Sequence, residues 1–131
     1  MSACGVWLGR RGLAAVFADG SGQVRLAFTV ARTADARWGL AHHLAAVGAD
    51  LVIEEALLPA DPIAFAAQRV GVRVWVAGPP LVGSLRFAAG ITRGPPRASA
   101  ALLARLPAIP WLRDHLRRLE PEDDPRQIPL L

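Results

Sequence analysis

The sequence predicts a mixed α/β fold, in which three antiparallel strands and then two parallel strands form one sheet flanked by helices. Two patterns lead to this prediction. The first 30 residues hold three short apolar runs separated by tight turns, and from residue 33 helical apolar spacing alternates with two further apolar runs. The 131 residues are 53% hydrophobic and 20% charged, which suits one globular domain.

The predicted strands that open the chain span residues 5–8, 12–18 and 23–30. Gly9, Arg10 and Arg11 form the first bend, and a cluster of turn residues at 19–22 forms the second. Strands joined by such short connections pair as antiparallel neighbours.

A helix follows, with Thr33 or Asp35 as its N-cap and Gly48 just past its end. The apolar residues that share its buried face are Leu40, Leu44 and Val47. The apolar run 51–53 then predicts a short buried strand that ends at Glu54.

The second half of the chain adds one strand and four helices. Asp61 and Pro62 begin a helix that Gly71 ends, and residues 72–77 form the fifth strand. The later helices span roughly residues 81–89, 95–106 and 110–119. The last of these carries an apolar stripe of Trp111, Leu112, His115, Leu116 and Leu119. Strands separated by helices run parallel, which completes the mixed sheet.

The composition changes after residue 119. Residues 120–125 are acidic and interrupted by prolines, which predicts a flexible segment. We therefore divide the chain into a domain over residues 1–119 and a flexible acidic tail over residues 120–131 that ends in a short peptide motif.

All 15 basic residues are arginines, so the sequence pI is 11.2 although the net charge is only +4. This positive net charge permits a polyanionic partner. A GC-rich coding sequence is an alternative explanation for much of the bias toward arginine.

The single cysteine, Cys4, excludes an internal disulfide framework and a multi-cysteine zinc site. Uncharged stretches reach about a dozen residues, whereas a membrane span needs roughly 20. We therefore expect a cytoplasmic protein with no membrane partner.

Four segments together resemble a known family. They read GVWLGR at 5–10, VIEEAL at 52–57, GPPLV at 78–82 and GPPRASAALLA at 94–104. The corresponding family patterns are GIDVSK, VxExTG, NPRxV and KTDxxDAxxLA. The chain thus resembles, over residues 5–106, the N-terminal domain of DEDD-type transposases and Piv DNA invertases, a group related to RuvC resolvases. The resemblance implies a ribonuclease H-like arrangement of the sheet.

The resemblance also identifies the positions at which that family carries its catalytic acids. In that family, four carboxylates at the ends of adjacent strands and on a helix hold two Mg²⁺ ions about 4 Å apart. These ions promote the cleavage of phosphodiester bonds. The matching positions in this chain are Trp7, Glu54, Pro96 and Ser99. The resemblance therefore implies a catalytically inactive domain with no metal or cofactor, in which Glu54 is vestigial.

Two alternatives stay open at this point. One is a Mg²⁺-dependent nuclease, similar to a Holliday-junction resolvase, in which Asp19 or Glu55 acts as a displaced metal ligand. The other is a protein-interaction adaptor that does not bind nucleic acid.

Five arginines are candidates for phosphate contacts: Arg10, Arg11, Arg86, Arg93 and Arg97. The first two lie at the first hairpin, and the other three lie in the segment that approaches nucleic acid in the similar proteins. We therefore expect a DNA-binding accessory factor in recombination, repair or replication, without sequence specificity or with specificity for a DNA structure. The alternative for these arginines is a set of solvated surface charges.

The chain ends in Gln127, Ile128, Pro129, Leu130 and Leu131. These residues resemble the Q-x-x-L-[FL] peptide by which many bacterial replication and repair proteins bind the sliding clamp. A glutamine and paired apolar residues on a flexible tail suit docking into a groove of such a partner. The alternatives are a chance match and a terminus that packs on its own domain.

Overall fold

The fold is an α/β arrangement in which helices cover a six-stranded mixed sheet, as seen in a computed structural model that describes residues 2–124. The strands are β1 (Ala3–Leu8), β2 (Leu13–Ala18), β3 (Val24–Val30), β4 (Asp50–Glu54), β5 (Val74–Ala77) and β6 (Arg117–Arg118). The helices are α1 (Ala34–Val47), α2 (Leu57–Ala60), α3 (Ile63–Arg69), α4 (Pro79–Ala88), α5 (Pro96–Arg105) and α6 (Pro110–Arg113). Two short 3₁₀ turns, Leu106–Ala108 and Pro121–Asp123, complete the described chain.

The strand order is β3-β2-β1-β4-β5-β6. β1, β2 and β3 are antiparallel neighbours, whereas β4 runs parallel to β1 and β5 runs parallel to β4. The predicted three antiparallel and two parallel strands are therefore confirmed. The short β6, which the sequence did not predict, pairs antiparallel with the outer edge of β5.

Buried side chains lie on both faces of the sheet. On one face, Val6, Leu51 and Ile53 pack with residues of α1 and α3. On the other face, Val52 and Ala77 pack with residues of α4 and α5. None of the helices within residues 2–124 combines the length and apolar character needed to cross a bilayer.

The ends of α1 agree with the prediction, but part of its buried face does not. The Thr33 side chain accepts a hydrogen bond from the Ala36 amide, and Gly48 adopts the left-handed conformation with φ 68°. Leu40 and Leu44 are buried, whereas Val47 in the last turn of α1 is 52% exposed.

The predicted helix over residues 110–119 is wrong beyond its first turn. α6 ends at Arg113, and the chain then extends so that the Leu119 amide donates a hydrogen bond to Val74 O at 2.8 Å. Leu116 and Leu119 belong to core clusters on opposite faces of the sheet, and Trp111 is 72% exposed. Unpaired backbone groups at the edge of β5 bind this segment as a strand, which outweighs its helical apolar spacing.

The segment predicted to be flexible begins with ordered contacts. Asp124 is buried, and its carboxylate accepts a hydrogen bond from Arg69 Nη2 at 2.6 Å. The side chain of Asp123 accepts a hydrogen bond from the Glu120 amide, which stabilises the 3₁₀ turn. Asp124 therefore packs against the domain over residues 1–119, whereas residues 120–123 are exposed.

Candidate functional site

Trp7 and Glu54 lie side by side at the ends of two parallel strands. β1 and β4 pair in a register that sets Ala3 opposite Asp50 and Gly5 opposite Val52. Trp7 and Glu54 each lie two residues beyond the last of these pairs. Both side chains line a cavity of about 150 Å³ at this edge of the sheet.

Arg86 of α4 completes this cluster. Its guanidinium carbon lies 4.8 Å from the ring centre of Trp7, a cation–π distance, and its Nη2 donates a hydrogen bond to Thr92 O at 3.1 Å. Its Nε is buried and has no hydrogen-bond partner among residues 2–124. Burial raises the pKa of Glu54, and the positive charge of Arg86 partly offsets that rise.

Pro96 and Ser99, the other two positions at which the similar family carries acids, lie on α5, over the same face of the sheet. Ser99 is buried, and Trp7 packs against the cluster that contains Ala100 and Ala104. α5 lies this close to β1 because Gly5 has no side chain: a Cβ there would overlap Ala100 O and come within 2.6 Å of Ala104 N. The structure thus brings Trp7, Glu54 and α5 together.

The two acids weighed as displaced metal ligands are engaged elsewhere. Glu55 is exposed and lies 3.7 Å from Arg117 Nη2. Asp19 accepts hydrogen bonds within its own turn, and those from Ser21 and Gln23 hold its pKa well below the usual range. Within residues 2–124, no three histidine, cysteine, aspartate or glutamate side chains stand close enough together to hold a metal ion.

Three of the five predicted phosphate-binding arginines line one large cavity. Arg10 and Arg11 reach it from the β1–β2 hairpin, and Arg97 reaches it from the first turn of α5. The cavity has a volume of about 810 Å³, and we call it the arginine cavity. The small residues that also line it are Gly9, Gly12, Ala14 and Ala27.

Six of the fourteen arginines within residues 2–124 form an ion pair with an acid, and the arginines of this cavity are not among them. Among residues 2–124, Arg10, Arg11, Arg93 and Arg97 form no ion pair. Arg93 lies exposed on the connection between α4 and α5, outside the arginine cavity. Arg86 is held by Trp7 and Thr92 and lies apart from this group.

The sequence did not indicate that small residues contribute to the arginine cavity. Ala27 on β3 and Ala14 on β2 line it together with Arg97 of α5, so the cavity joins three separate elements. A local pattern does not report such a contact. The one available signal was the Gly9 to Gly12 bend, whose glycines leave room beside Arg10 and Arg11.

The predicted peptide motif at Gln127, Ile128, Pro129, Leu130 and Leu131 lies outside the described residues.

A scan against protein-family models finds no match to this chain, and a search of curated proteins finds no significant relative.

Proposed function

We propose that this chain is a ribonuclease H-like domain, related to those of DEDD-type transposases, that binds the phosphate backbone of DNA and does not cleave it. The proposal includes a cytoplasmic accessory role in recombination, repair or replication, with no cofactor. Three antiparallel strands followed by two parallel ones support the fold assignment. The meeting of Trp7, Glu54 and α5 supports it further, because the resemblance expects those positions at one site.

The arginine cavity is the observation that carries DNA binding. Three arginines from two distant segments line it, and none of them forms an ion pair with an acid among residues 2–124. Uncompensated charge of this density favours a polyanion, and arginine binds phosphate oxygens with two parallel hydrogen bonds. The lining residues contain no acid that would repel a phosphate.

The cluster of Trp7, Glu54 and Arg86 supports the loss of cleavage. An indole offers no oxygen ligand to Mg²⁺, and the guanidinium that lies 4.8 Å from its ring centre repels a divalent cation. Arg86 therefore places a positive charge of the protein where the similar enzymes bind a metal ion.

Titration of the full chain with fluorescently labelled DNA, single-stranded and duplex, tests the binding. Three phosphate contacts to duplex DNA correspond to a loss of affinity of about 40-fold between 50 and 200 mM salt. Replacing Mg²⁺ by a chelator should not weaken binding, because Mg²⁺ competes with the arginines for the phosphates and is not itself needed. Binding that is absent or insensitive to salt would contradict the proposal and favour the adaptor alternative.

A cleavage assay tests the loss of activity. Linear duplexes and four-way junctions incubated with Mg²⁺ should remain intact. Metal-dependent cutting that Glu54→Ala abolishes would overturn this part of the proposal and establish the nuclease alternative.

We further propose that Gln127 to Leu131 recruit the domain to the sliding clamp. A pull-down on immobilised clamp should retain the intact chain and lose a chain that ends at Arg126. Equal retention of both chains would contradict the role of the motif, and it would leave the DNA-binding proposal unaffected.

A further inference from the structure

We propose that the arginine cavity binds a single strand of DNA in preference to a duplex. This inference rests on the proposed function, because it names the form of DNA that the same arginines recognise.

The shape of the cavity is the first argument. Its walls come from the β1–β2 hairpin, from β3 and from the start of α5, and together they line a concave volume of about 810 Å³. This volume falls within the range of about 300–1,000 Å³ that is typical of sites for small organic molecules. A flexible strand can insert one or a few nucleotides into such a space. A duplex is a stiff, convex cylinder whose paired bases cannot enter it.

The chemistry of the lining is the second argument. Arg10, Arg11 and Arg97 meet small or apolar surface, contributed by Ala14, Ala27 and Pro96. A single strand presents both phosphates and the apolar faces of its bases, whereas a duplex hides those faces in its stack. Arginine side chains also stack on exposed bases by cation–π contact. Charge combined with apolar surface therefore matches a single strand.

The position of the cavity is the third argument. β3 is the outermost strand of the sheet on this side, and its residues Ala27 and Thr29 are exposed. The cavity is therefore open to solvent along the sheet edge, where a single strand can reach it.

Fluorescence anisotropy of the full chain with labelled dT12 and with a labelled 12-base-pair duplex tests the inference. The dT12 probe should bind at least about tenfold more tightly than the duplex at 100 mM salt, a ratio that corresponds to about one charge-assisted hydrogen bond. Three contacts to a single strand correspond to a loss of affinity of about 20-fold between 50 and 200 mM salt.

Three variants locate the binding. Arg97→Ala should weaken dT12 binding about tenfold. Arg105→Ala is the matched control, because it removes the same charge from the last turn of the same helix, outside the cavity. Ala27→Leu keeps every charge and fills part of the cavity from an exposed strand position, so it should weaken dT12 binding and spare the duplex.

The outcomes separate this inference from the proposed function. Equal affinity for both probes, preference for the duplex, or equal effects of Arg97→Ala and Arg105→Ala would overturn the single-strand inference. In the first two cases, salt-dependent binding would still support the DNA-binding proposal, whereas equal effects of the two variants would also show that the arginine cavity is not where DNA binds. Binding to neither probe would overturn both.

Discussion

Replacing Gly5 by alanine is expected to lower the stability of the domain sharply. The added Cβ would overlap Ala100 O and lie 2.6 Å from Ala104 N, where unstrained contacts are about 3.5–4.0 Å. Both obstructing atoms belong to the backbone of α5, so no side-chain rotation relieves the clash and the helix has to move away from β1. Overpacking of a core costs typically 1–3 kcal/mol, and we expect about 3 kcal/mol here.

Urea denaturation, followed by tryptophan fluorescence, measures this loss. With a slope near 2 kcal/mol per M for a domain of this size, a loss of about 3 kcal/mol lowers the unfolding midpoint by about 1.5 M. Gly39→Ala is the matched control, because Gly39 is exposed within α1 and a Cβ there meets no atom within 4 Å. This control should gain about 0.5–1 kcal/mol and raise the midpoint by about 0.3–0.5 M.

The two variants also test how the site is assembled. A midpoint for Gly5→Ala that falls by less than about 0.5 M would refute the close packing of α5 on β1. If the variant stays folded, displacement of α5 should also weaken DNA binding, because Arg97 moves with the helix. Gly39→Ala should bind DNA like the unaltered chain.

Three further outcomes are expected. Burial alone would raise the pKa of Asp61, yet hydrogen bonds from Arg37 and Arg32 outweigh the effect of burial and lower the pKa. The ionised Asp61 therefore stabilises the folded protein above about pH 3.9, the pKa in the unfolded chain. This contribution is lost as the pH falls through the lower pKa of Asp61 in the folded protein. Asp61→Asn should therefore cost about 3 kcal/mol at pH 7 and weaken the acid dependence of unfolding, as measured by urea titrations at several pH values. The pKa of Glu54 should lie above the ordinary value and rise further in Arg86→Ala, as followed by the carboxyl carbon shift against pH; an unchanged value would contradict the Arg86 contact. Burial raises the pKa of the Cys4 thiol to about 12, so a thiol reagent should label the protein only on unfolding, and rapid labelling of the native chain would disprove the burial.

The contrast between α1 and the segment after α6 explains which elements could be predicted. α1 has a Thr33 cap, a Gly48 terminus and apolar residues at helical spacing, and all three act within one stretch of chain. Residues Leu116 and Leu119 show helical spacing as well, but they pack on opposite faces of the sheet. Their conformation depends on the free edge of β5, which lies about 40 residues earlier in the chain and leaves no mark on the local pattern.

In the candidate site, too, the residues could be predicted from the sequence but their arrangement could not. The sequence pointed to Arg10, Arg11 and Arg97 as phosphate contacts, but it did not show that they share one cavity while Arg86 stacks on Trp7. The small residues lining that cavity carried no recognisable pattern, because their role depends on what packs above them.

The sequence by itself determined the order of β1 to β5 and of helices α1, α3, α4 and α5, the antiparallel pairing of the first three strands and the excess of arginine. Short turns, caps and apolar spacing are local, so each can be read from neighbouring residues. Tertiary structure alone decided that α5 lies on Gly5, that Arg97 thereby joins the hairpin arginines, and that β5 gains β6 as its partner. These contacts join distant parts of the chain, and they form because burying apolar surface and pairing backbone groups stabilises the fold more than local preference does.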